Sequence, residues 1–193
     1  MADDSVGICA QALTLIGAGP ISSFEGPDAR SVAASQLYDP IVETLMGLHR
    51  WRFASASFEL SRLVAAPTTR WEAKYTVPAG TMVIHNVIVN DCSIPFDRFD
   101  NEIHCDAQET DEVYCEVTRE IAESYWPKYF VACVRLKLAA AFAIAVAHNE
   151  DRANVYEGQF IRQFTQAKLL DSQGRTAAKL QVGGLRAFVA GRP

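Results

Sequence analysis

Cys92, His104, Cys105 and Cys115 are the side chains of this chain best suited to hold a transition metal, since thiolates and imidazoles are the usual ligands of zinc. Their spacing argues otherwise. His104 and Cys105 are adjacent, and adjacent residues on a strand point to opposite faces. Cys105 and Cys115 lack the closely paired spacing of a zinc knuckle. These cysteines read as small apolar residues of strands. Asp97, Asp100, Glu102, Asp106, Glu109, Asp111 and Glu112 suggest calcium by type, but not in the alternating Asp order that ends in glycine. A solvated acidic face is the simpler reading. His49, His85 and His148 each stand alone, as surface or capping histidines do. Gly17-Ala18-Gly19 lacks a third glycine and follows a helix rather than a strand, so it does not present a phosphate cradle. There is no G-x-S-x-G elbow and no H-E-x-x-H pair. No catalytic, cofactor-binding or metal residue is assigned, and the chain is not expected to be an enzyme.

The elements around these residues can be read from periodicity. Ile8, Ala12, Leu15 and Ile16, widened by Val6, Cys9 and Leu13, predict a helix from about Asp4 to Ile16. Asp3, Asp4 and Ser5 suit its start, and Gly17, Gly19 and Pro20 its end. A second helix is expected after Pro27, with Asp28 as cap, running to about Leu48 with Pro40 inside it; a kink is expected near Tyr38-Asp39. Trp51, Phe53 and Phe58 then read as an aromatic anchor before a loop at Ala66-Pro67-Thr68.

From Trp71 the texture changes to β-branched residues. Strands are expected at Lys74–Val77, Thr81–Val89, Ile94–Arg98, Glu102–Cys105 and Val113–Arg119, with Asp97–Asn101 turn-like. A long helix is then expected from about Pro127 to Ala147, a break at His148–Asp151, and a last helix to about Leu170. In that helix Val155, Phe160, Ile161, Phe164 and Ala167 are expected to face the core. The fold class is α+β, mainly α: a helical bundle with a small antiparallel β module inserted between helices and an extended C-terminal tail. The divisions are 1–70 and 123–171 for the bundle, 71–122 for the acidic β module and 172–193 for the tail.

Length and composition are those of one globular domain: 193 residues, 49% apolar and 21% charged. No secretory leader is visible, and the odd number of cysteines, 5, favours reduced thiols in a cytosolic assembly environment. Tyr129–Ala147 is apolar, but Arg135 and Lys137 interrupt it, so it reads as a buried helix rather than a membrane span. The charge is unevenly distributed. Residues 72–123 carry 12 acidic and 3 basic side chains, whereas residues 124–193 carry 4 and 10. A module as acidic as the first repels nucleic acid, and the basic remainder suits an acidic partner surface. The aromatic residues Trp51, Phe53, Trp71, Tyr75, Tyr125, Trp126, Tyr129 and Phe130 lie at element junctions, as core anchors or as part of a subunit interface.

Several stretches, in this order, carry a resemblance. They are Ile8–Gly17, Ile21-Ser-Ser-Phe24, Leu37-Tyr-Asp-Pro40, Leu48-His-Arg-Trp-Arg-Phe-Ala54 and Arg70-Trp-Glu-Ala-Lys-Tyr-Thr-Val-Pro78, followed by Glu102–Asp106, Tyr125-Trp-Pro-Lys-Tyr-Phe130 and Leu136–Ala147. Over about residues 5 to 175 the chain resembles the head-to-tail adaptor, or tail tubular, proteins of short-tailed bacteriophages. The inference rests on shared order and spacing rather than on any one motif.

The resemblance implies a structural virion protein of the tail and neck, assembled in the host cytoplasm. It implies a homo-oligomeric ring of twelve copies between the portal protein and the tail nozzle protein. Double-stranded DNA would pass through the ring without specific binding, and no cofactor or membrane would be involved. In some relatives the C-terminal tail clasps the portal; here Leu185, Arg186 and Phe188 would be its anchors. The rival readings are another phage assembly or completion protein, or a small binding domain with an unrecognised site.

Overall fold

The computed structural model describes residues 4–173. The chain is a mixed α+β protein with four α-helices and two antiparallel sheets among these residues. The tail, with its expected anchors Leu185, Arg186 and Phe188, lies outside them.

Helix α1 spans Ser5–Leu15. The Asp4 carboxylate accepts a hydrogen bond from the Gly7 amide at 2.8 Å, satisfying one of the free N–H groups of the first turn. The helix ends where Gly17 turns to φ +77°, and the Gly17 and Ala18 amides close back onto the Thr14 and Leu13 carbonyls. Helix α2 spans Ala29–Gly47 and runs unbroken through Pro40. Asp28 precedes it, but its carboxylate accepts from Ser31 Oγ and Arg30 Nε, both at 2.7 Å.

Seven strands follow. They are β1 (Ser55–Glu59), β2 (Ala73–Thr76), β3 (Thr81–Val89), β4 (Cys92–Ile94), β5 (Phe96–Phe99), β6 (Glu102–Cys105) and β7 (Val113–Arg119). One sheet has the order β1-β7-β3-β4 and the other β2-β6-β5. Two corrections to the expected strands have clear causes. Ser55–Glu59, read as part of an anchor before a loop, is an edge strand that pairs with β7 from Ser55↔Thr118 to Glu59↔Tyr114. The expected strand Ile94–Arg98 is divided at Pro95, which has no N–H for the ladder; the halves belong to different sheets. The turn narrows to Asp100-Asn101, with Asp100 at φ +49°.

Helices α3 (Lys128–Ala145) and α4 (Glu150–Gln173) form the closest helix pair. Ala153, Phe160 and Ala167 repeat at heptad spacing and are buried, and Phe164 is packed partly against them. Val155 and Ile161, expected in the core, are each 58% exposed, because α3 covers only one side of α4. Leu15 is likewise 41% exposed at the end of α1.

Two apolar cores result. One lies among the helices and takes in Trp51, Ala54 and Trp126 from the connections. The other lies in the β section, where Val87, Cys115 and Val117 of one sheet belong to the same cluster as Tyr75, Ile103 and Cys105 of the other. No helix among the described residues is long and apolar enough to cross a membrane.

Candidate interaction surfaces

The stretches on either side of the β section meet in an aromatic junction. The connection after α2 brings Trp51 fully into the helical core, where its Nε1 donates to the Leu45 carbonyl at 2.8 Å. Its ring meets Phe130 at 5.0 Å and Phe164 at 5.7 Å, both edge-on, and lies 6.4 Å from Tyr129 with the planes inclined by 28°. Trp126 packs edge-on against Phe130 at 5.1 Å and donates to the Ile121 carbonyl at 2.8 Å. Edge-to-face pairs set opposite charge of the ring quadrupoles together, which adds to the burial of large apolar area.

Asp171 closes this junction from the last turn of α4. It is buried, and its carboxylate accepts from the Tyr129 hydroxyl at 2.8 Å and from the Arg52 amide at 3.1 and 3.3 Å. His49 Nε2 stands 3.7 Å away. Burial, then the hydrogen bond and charge of Asp171, raise the Tyr129 pKa well above the usual phenol range. Burial lowers the pKa of His49, opposed by the Asp171 charge and helped by that of Lys168. Periodicity ends the last helix at about Leu170 and gives Asp171 no role. The available signal was its position four residues after Ala167, on the stripe that is buried; a buried carboxylate demands donors.

The four residues considered for metal binding do not form one group, although Cys105 and Cys115 share the apolar core of the β section. Cys105 is in the apolar core of the β section, while Cys92 is exposed at the start of β4. His104 is buried apart from both, with Nδ1 2.9 Å from Thr69 Oγ1, Nε2 3.1 Å from Glu102 and its ring against Phe99. Among the described residues, no group of three or more His, Cys, Asp or Glu is placed to hold a metal ion.

The acidic cluster is divided among local partners. Asp97 accepts from Trp71 Nε1 at 2.9 Å, Asp106 from the Glu72 amide at 3.2 Å and Asp111 from Asn90 Nδ2 at 2.8 Å. Glu102 accepts from Lys74 and His104, and the hydrogen bond from His104, then that from Lys74, hold its pKa below the usual value. His85 Nε2 lies 2.7 Å from Thr118 Oγ1, and burial, then the nearby Arg50 charge, lower its pKa. His148 occupies the turn between α3 and α4 at φ +49°. These polar groups cross-brace strands and turns.

The surface offers more. Of the eight junction aromatics, Tyr125 alone is strongly exposed, at 75%. On α4, Val155, Ile161, Leu169 and Leu170 project into solvent around a largely polar helix face. An open cleft of about 420 Å³ lies where the described chain ends, lined by His49, Arg50, Arg52, Ser55, Asp171 and Ser172. A groove of about 300 Å³ opens between α2 and the connection after β7. No protein-family model matches this chain, and no curated protein matches it.

Proposed function

We propose that this chain is a ring-forming head-to-tail adaptor of a short-tailed bacteriophage. It joins the portal to the tail nozzle and forms part of the channel through which the genome leaves. On this reading the fold is a helical bundle carrying an acidic β module and an extended C-terminal tail, and twelve copies close into a ring in the virion neck.

The observation that carries the reading is the contact between two stretches that bear the resemblance. Leu48–Ala54 and Tyr125–Phe130 are far apart in sequence and meet through Trp51, Phe53, Tyr129 and Phe130. Stretches without reactive character are shared within a family when they specify its core, and these two occupy such a place. The charge distribution adds support. A β section with 12 acidic residues against 3 basic ones lacks the cations that grip phosphate, so DNA passes without specific binding. Ring closure joins two unlike surfaces of each copy. The acidic β section and the exposed flank of α4 are unlike in this sense.

Sedimentation of the purified chain with and without its portal protein tests the proposal. The expected result is a ring-sized complex formed with the portal. A chain that stays monomeric in the presence of the portal overturns it.

A further inference from the structure

The groove between α2 and the connection after β7 has an apolar floor. Val42 and Met46 of α2, Met82 of β3, and Ile121 and Trp126 of the connection line it. Met46 and Trp126 are nearly covered, while Val42, Met82 and Ile121 are half-buried. Asp39, Glu43, Glu120 and Glu123 stand around this floor, and no lysine or arginine is among the lining residues. The matching ligand is a short peptide with a large apolar side chain beside a cation.

The chain carries such a peptide. Residues 174–193 contain Arg175, Lys179, Arg186 and Arg192 and no acidic residue, and Leu185, Arg186 and Phe188 fall within four positions. They follow directly on Gln173, the last residue of α4. Gln173 lies two residues past Asp171, which is bonded to Tyr129 and to the Arg52 amide. Trp126 packs on Phe130, Phe130 on Trp51, and the Trp51 ring bonds the carbonyl of Leu45, the neighbour of Met46. The inner wall of the groove and the exit of the C-terminal segment are therefore two sides of one aromatic junction. The twelve steps from Gln173 to Leu185 span up to about 40 Å.

We propose that the Leu185–Phe188 segment docks into this groove of its own chain, with Leu185 and Phe188 on the floor and Arg186 toward the carboxylates. Tethering favours the chain's own segment over that of a second copy, because a short linker holds it at about millimolar effective concentration. The docked segment is covered until another partner displaces it, so the same residues cannot at once hold a portal. The inference does not depend on the adaptor reading: groove occupancy is measured on the isolated chain, ring assembly with the portal.

The chain has three methionines, Met1, Met46 and Met82, and two of them line the groove. Full-length protein labelled with ¹³C at the methionine methyls is compared with its Phe188→Leu variant, which removes the ring but keeps an apolar side chain. The expected result is a displaced Met82 methyl resonance that reverts in the variant, with Met1 unchanged and no dependence on protein concentration. Arg186→Glu is expected to produce the same reversion. An unaltered Met82 resonance in both variants overturns the proposal. A displacement that disappears on dilution also overturns it, since it places the segment of a second copy in the groove.

Discussion

The Asp171 carboxylate lies 2.8 Å from the Tyr129 hydroxyl, 42 residues back along the chain, and also faces the Arg52 amide, 119 residues back. One side chain thus ties the last described turn of α4 to the start of α3 and to the connection that leads into β1. The carboxylate is almost fully buried, while of its donors Arg52 is exposed beside the cleft at the end of α4 and Tyr129 is half-buried.

Asp171→Ala is expected to lower unfolding free energy by about 1.5–3 kcal/mol, the range for hydrogen bonds to a charged group. Tyr129→Phe is expected to cost about 1–2 kcal/mol. In urea denaturation the double variant is expected to lose less than the sum, because both changes remove one bond. Strict additivity would show that the two groups do not interact.

Stability at high pH is governed in part by two buried thiols. Burial pushes Cys9 up to about 12 from an ordinary 9.0, with a further contribution from the Asp39 charge, and burial alone pushes Cys133 to about 12. A raised folded value means stability that is intact below pH 9.0 and declines as pH rises toward 12. The urea midpoint is expected to hold steady up to about pH 8.5 and then fall. Cys9→Ala with Cys133→Ala is expected to lower the plateau and flatten the fall. A slope unchanged in the double variant would assign the effect to other groups.

The acid side has two windows. Burial and the Arg50 charge depress His85 below its ordinary 6.5, so its contribution is present above that pH and is lost as pH falls through the folded value. Glu102 is depressed below 4.5 and Asp111 below 3.8, so their contributions disappear only in stronger acid. Denaturation followed against pH is expected to show a first loss beginning near 6.5 and a second in the carboxylate range. His85→Gln, which can still bond Thr118, is expected to weaken the first and spare the second. A first loss identical to wild type would exclude His85 as its source.

Among the described residues, both apolar cores are built from positions no later than Ala167. Removal of residues 174–193 is expected to leave the fold in place but to lower the urea midpoint, because the contacts of the docked Leu185–Phe188 segment are lost. On the proposed function it is expected to weaken co-sedimentation with the portal protein. Full attachment by the shortened chain would remove the tail from that role.

Much of the architecture was legible because local chemistry and final structure agree. Asp4 and Gly17 mark the ends of α1 through a capping bond and a left-handed turn, both decided within a few residues. The β-branched run of β3 and the alternation of β7 match the strands, and in β7 Val113, Cys115 and Val117 turn into the inter-sheet core. The helical stripe of α3 is broad enough to specify burial on several sides. Where apolar residues spread around a helix, periodicity alone misled. Val155 lies about 200° around α4 from Ala153, and only the position of α3 decides which of them is covered.

What the amino-acid order determined by itself was the four helices and the strand-rich section that lies between the second and the third. The folded chain alone decided that Ser55–Glu59 is a strand, that Pro95 separates two sheets, and that Asp171 is the hub of a buried junction. The physical reason is range. Capping and periodicity act over one or two turns, whereas an edge strand exists only beside its neighbour, and a buried carboxylate is tolerable only where distant donors converge on it.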